Sequence, residues 1–214
     1  MAKVTLEQLW LSATRLSPWR RNYSQSPKRQ INQIVPFLGT RTVLFTGSFW
    51  GLTENSVHLS NILFMDCEII EEVVRPQQQA PVTPTVATPQ QPNTPQQGTA
   101  VNKPVGTSNY GGVVNAEPNY STSTHFKVTY AGKNYWIKKI DMKRQACLVR
   151  CSCSDYYFTW SWANYNNGVQ FGGRARPYHR KTKDRKPRNP ANIMGLCKHI
   201  SQFAQMLQTS GYAL

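Results

Sequence analysis

The sequence predicts an α+β protein made of two small units, residues 1–75 and 123–214, joined by a disordered Pro/Gln/Thr linker over residues 76–122. Two observations lead there. The middle segment repeats Pro-Gln-Gln and Thr-Pro and carries only Lys103 and Glu117 as charges. With few large apolar side chains, it cannot bury enough surface to offset its chain entropy. Each flank, by contrast, combines apolar residues at period two with apolar residues at helical spacing, the signature of strands and a helix in one unit.

The first unit opens with a helix. Thr5 and Gln8 have the spacing of a capping box, Val4 and Leu9 that of a hydrophobic staple. Leu6, Leu9, Trp10, Ala13 and Leu16 recur at helical intervals until Pro18. A basic, polar stretch with Arg20, Arg21, Lys28 and Arg29 follows. Residues 41–50 and 58–70 then read as strands, with 51–56 as a hairpin loop. So short a unit is marginal alone and calls for a partner surface, a protein partner being one candidate. His58 and Cys67 read as filling, and Asp66, Glu68 and Glu71 as an exposed strand end.

In the second unit, 125–130 and 135–137 form a hairpin about the turn at 131–134, and 145–150 a third strand. Tyr156, Phe158, Trp160 and Trp162 fall at period two, which predicts a strand with Phe158, Trp160 and Trp162 in the core. The final element, 197–208, is a helix whose Ile200, Phe203, Ala204 and Leu207 share one face, with Gly211 just beyond it.

Charge separates the units. Residues 1–75 hold eight basic and six acidic side chains, while residues 123–214 hold sixteen against Asp141, Asp155 and Asp184. A domain that positive attracts polyanions. Five cysteines, an odd number, argue against a disulfide framework. The chain shows no signal-like opening and no apolar run of membrane-spanning length, so a cytoplasmic protein that does not enter a membrane is expected.

The chemistry lies in Cys151-Ser152-Cys153 and Cys197-Lys198-His199. Thiolates and a neutral imidazole are preferred zinc donors, and a closed Cys₃His set is structural rather than catalytic. The backbone between Cys151 and Cys153 must turn tightly for both to reach one ion, and Ser152 is small enough to permit it. The pattern C-x-C, spacer, C-x-H-Ile, followed by an amphipathic helix, resembles the SWIM zinc finger over roughly residues 145–208. The resemblance implies a strand–strand–helix domain clasped around one Zn²⁺ by Cys151, Cys153, Cys197 and His199, in a module that binds DNA or protein. Its spacer of 43 residues is longer than that family usually has. Cys147 or His179 therefore remains open as a substitute ligand. Chelation is expected to unfold the second unit and spare the first.

The spacer contains the most basic stretch of the chain, 174–188: Arg174, Arg176, Arg180, Lys181, Lys183, Arg185, Lys186 and Arg188 against Asp184. Such a loop stays open until it meets negative charge. Tyr157 and Tyr165 are the nearby rings expected to be free for base stacking. The leading expectation is a zinc-stabilised, non-enzymatic binder of nucleic acid, DNA before RNA, with little sequence preference. A virion or assembly protein is the alternative, since the two-unit layout and the tether look similar to structural proteins of tailed phages. No phosphate-cradling glycine loop, nucleophile–base pair or H-E-x-x-H arrangement suggests an enzyme.

Overall fold

The computed structural model describes residues 3–16, 28–50, 56–73, 121–178 and 188–214. The linker expected at 76–122 lies almost wholly outside them. The chain is α+β, with two antiparallel sheets.

Helix α1 (Leu6–Leu16) starts where the sequence places it. The Thr5 amide donates to Gln8 Oε1 at 2.9 Å and the Gln8 amide to Thr5 Oγ1 at 3.3 Å, closing the box reciprocally. Val4 and Leu9 are both buried, as a staple requires, whereas Trp10 is left largely exposed. Thr5→Ala should cost about 1 kcal/mol by chemical denaturation, because it orphans the Gln8 amide.

Strands β1 (Arg29–Phe37), β2 (Thr42–Trp50), β3 (Val57–Phe64) and β7 (Cys147–Cys151) form one sheet in the order β1-β2-β3-β7. The other sheet has the order β4-β6-β5, from β4 (Ile69–Glu71), β5 (His125–Tyr130) and β6 (Lys133–Lys138). β1 was not anticipated. Its Ile31, Ile34 and Val35 do not alternate cleanly, and its register slips between Ile31 and Gln33. Pro36 is tolerated because β1 is an edge strand. The long strand expected at 58–70 is broken at Asp66, whose φ of 55° turns the chain from one sheet to the other.

That break corrects the two-unit division. Residues 1–72 and 120–214 form a single compact unit. β3 pairs with β7, Ser60 opposite Cys151 and Phe64 opposite Cys147. β4 pairs with β6, Ile69 opposite Ile137. The Cys147 amide donates to Val4 O at 2.9 Å, closing a third link. Each half brings a strand edge whose ladder groups need partners, and each satisfies the other's. Two of the acidic trio work in the same junction, Lys138 pairing with Glu68 at 3.2 Å and Lys133 with Glu71 at 2.7 Å, while Asp66 pairs with Lys3 at 2.6 Å within the first half. Such exposed pairs add little energy but oppose the wrong register.

One core spans both sheets. Phe45 of β2 lies 6.3 Å from Phe126 of β5, and Phe126 lies 5.0 Å from Tyr212, ring centre to ring centre. Helix α3 (Lys198–Thr209) buries Ile200, Phe203 and Leu207 against the first sheet. Gly47 on β2 admits it closely: a Cβ there would stand 2.7 Å from the Phe203 ring.

The aromatic run after Cys153 is helical, not extended. A π-helical turn, Tyr156–Trp160, leads into α2, Ser161–Asn166. The buried residues Tyr156, Thr159, Trp160, Ala163 and Asn164 give the helical interval that the aromatics alone conceal. Phe158 is consequently 42% exposed and Trp162 half-buried, and only Trp160 of the expected three is core. Among the described residues, no helix is long and apolar enough to cross a membrane.

Candidate metal centre

The site is assembled from the end of β7 and the start of α3. Along a straight strand, residues two apart share a face with Cα atoms roughly 6.5 Å apart. Here β7 stops at Cys151 and the chain turns. The Ser152 amide donates to Leu59 O at 2.9 Å, and Ser152 Oγ accepts from the Leu59 amide at 2.9 Å. The hydroxyl thus continues the ladder with β3 while the backbone curls, and Cys153 comes back beside Cys151. Ser152 is small, as the sequence requires, and it is also a working partner in the sheet.

On the other side, Cys197 is the N-cap of α3 and His199 lies in its first turn. The helix dipole favours negative charge on a sulfur there. Cys151, Cys153, Cys197 and His199 are all buried, and one ligand atom from each falls within 4.8 Å of every other. Cys151 Sγ lies 3.8 Å from His199 Nδ1, which makes Nδ1 the inward nitrogen. Tetrahedral zinc with Zn–S of about 2.3 Å and Zn–N of about 2.0 Å sets its donors roughly 3.5–3.8 Å apart. The donor set and its spacing fit one such ion.

The protonation balance points the same way. Hydrogen bonds from the Cys153 and Cys197 thiols pull the Cys151 thiol far below its ordinary value, whereas burial drives Cys197 well above it. Burial thus opposes a charged Cys197 beside Cys151. A divalent cation held between them would supply the charge that offsets this. The surrounding donors are already aimed at sulfur: Ser60 Oγ–H to Cys151 Sγ at 3.4 Å, and the Tyr156 amide to Cys153 Sγ at 3.3 Å.

Two further residues frame the site. The His58 ring on β3 stands 4.5 Å from the His199 ring, and burial, then His199, hold its pKa below the ordinary imidazole value. Sequence reading dismissed His58 as filling; the period-two face it shares with Ser60 and Ile62 was the available signal. Asn164 was missed as well. Its side chain accepts from the Gly195 amide at 3.0 Å and donates to Gly195 O at 2.9 Å, fixing the approach to Cys197.

The open alternatives divide. Cys147 is buried outside the cluster, its thiol pushed up to about 12 by burial, and does not substitute for a ligand. Cys67 is likewise pushed up to about 12, chiefly by burial. His179 lies outside the described residues.

The long spacer folds back on itself. Asn189 Nδ2 donates to Thr159 O at 3.0 Å and to Ile193 O at 2.7 Å. Val169 and Phe171 flank Val149 across β7's second edge, the Val149 amide donating to Val169 O at 2.9 Å and the Phe171 amide to Val149 O at 3.0 Å. Of the expected basic contacts, Arg174 and Arg176 are exposed, and Arg188 pairs with Asp155 at 3.6 Å. Arg180, Lys181, Lys183, Arg185 and Lys186 lie outside the described residues. Tyr157 and Tyr165 are exposed, the latter against Trp162 with ring centres 6.1 Å apart.

Compared with known proteins, the chain matches no family model, no curated protein and no solved structure. The metal centre accordingly stands on its own geometry.

Proposed function

We propose that the protein is a zinc-stabilised, non-enzymatic module that binds nucleic acid with little sequence preference, in a reducing cytoplasm. The observation that carries the metal reading is the buried Cys₃His set, with all four donors within 4.8 Å of one another. Four protein donors complete a tetrahedron and leave no position for a substrate, which favours a structural ion over a catalytic one. Zinc is the metal this soft, sulfur-rich set selects.

The nucleic-acid reading is supported by charge. The excess of thirteen positive charges in residues 123–214 belongs to the same flank as the metal ligands. DNA is favoured because the ligand pattern resembles that of a finger regarded as DNA-binding. With about five cations reaching phosphates, log affinity should fall against log salt with a slope of about −3 to −4 on single strands and −4 to −5 on duplex. A salt titration of the intact, metal-loaded chain checks this. A slope near zero would contradict it, and self-association without any DNA shift would favour an assembly role. The intact chain is required, because residues 123–214 alone would leave β7 without β3.

A further inference from the structure

We propose that Tyr157, Phe158 and Tyr178 form a stacking platform for unpaired bases, so that the ligand is single-stranded nucleic acid; this rests on the nucleic-acid reading above. The helical turn after Cys153 commits Tyr156, Thr159 and Trp160 to the core and leaves Tyr157 and Phe158 on its outer side. Phe158 has no polar atom to reward its exposure to water, and a neighbouring core position holds a fully buried Trp160.

The exposed rings are gathered, not scattered. Phe158 lies 5.1 Å from Tyr157 at 77°, and 4.4 Å from Tyr178 at 51°. Tyr178 comes from a segment twenty residues further on, so the tertiary structure builds the group. Tyr157 is 57% and Tyr178 48% exposed, leaving ring surface open. Exposed apolar rings gathered in one place, unlike ones scattered singly, suit a binding surface.

The charge around it selects a polyanion. Arg176 is exposed two residues before Tyr178, and Arg188 reaches Asp155 at the root of the same helical turn. Asp155 is the only acidic residue between 142 and 178, and Arg188 neutralises it. Phosphate contacts alone need only the arginines. Rings add affinity where base faces are free, which is the case for a single strand and not for a duplex interior.

Fluorescence anisotropy of the intact, metal-loaded chain tests the platform, with oligothymidylate of about 20 nucleotides and its duplex with oligoadenylate as probes. The single strand should bind more tightly. Phe158→Ala with Tyr178→Ala should weaken single-strand binding roughly 5- to 150-fold, the loss of about one stacked base, and leave the duplex within about twofold. Phe158→Trp should retain single-strand binding, and circular dichroism should be unchanged in every variant. Arg176→Gln should weaken both probes. If DNA binds but the ring variants do not alter the single-strand affinity, the platform is wrong and the nucleic-acid function stands. If neither probe binds the native chain, that function fails and the platform with it.

Discussion

Metal removal is expected to unfold residues 1–72 together with residues 120–214, in one transition. Sequence reading placed the metal in an independent second unit, so that chelation would spare the first. The sheet order denies that independence. β3 has β2 on one side and β7 on the other, and the candidate ligands Cys151 and Cys153 lie in and just after β7. α3, which carries His199, supplies the Phe203 ring that packs 5.8 Å from Phe49 on β2. Structural zinc contributes roughly 10–16 kcal/mol in finger peptides, against about 5–15 kcal/mol for the whole stability of a typical domain. Amide exchange before and after chelation reads this out: β1 to β3 should lose protection along with β7 and α3. Continued protection in β1 to β3 alone would show that the halves are separable after all. Cys151→Ser and His199→Ala should reproduce the chelated state, each removing one of four donors.

Gly195→Ala should destabilise the metal-loaded protein by about 3 kcal/mol, at the upper end for overpacking, with weakened metal retention. A Cβ at Gly195 would stand 2.3 Å from Trp160 Cζ3 and 2.6 Å from its Cε3. Neither side can give. Trp160 is fully buried, and both polar groups of the Gly195 backbone are held by the Asn164 side chain. Any relief must shift the segment that delivers Leu196 and Cys197, and the fourth donor moves with it. Gly173→Ala provides the control: a Cβ there meets nothing within 4 Å, and its effect should be near zero. Chemical denaturation of both variants, with metal content measured alongside, separates a packing defect from a general intolerance of side chains in the spacer.

The parts of the fold that could be read in advance were those set by neighbours along the chain. Thr5 and Gln8 announce a capping box because the motif is complete within four residues. The 125–130 hairpin is equally local, since Ala131 and Gly132, at φ of 50° and 76°, make the turn within the sequence that predicts it. The four residues of the buried Cys₃His cluster were legible although 43 residues separate Cys153 from Cys197, because a candidate metal site leaves a chemical signature independent of distance. Strand partnership leaves none. Nothing in 57–64 states that its second neighbour is 147–151 rather than a strand nearby, and the two-unit division followed from that silence. The misread run at 156–162 has a different origin. Large aromatics at alternate positions outweighed Thr159, Ala163 and Asn164, whose small or polar side chains complete the buried helical face. Asn164 in particular is buried for its hydrogen bonds to Gly195, which only the fold reveals.

X-ray absorption at the zinc edge of the purified, intact chain tests the centre most directly. One zinc per chain should be found, with three sulfur neighbours at about 2.3 Å and one nitrogen at about 2.0–2.1 Å. A shell of oxygen and nitrogen alone, or a folded, metal-free chain whose Cys151, Cys153 and Cys197 all titrate as ordinary thiols, would contradict the Cys₃His centre.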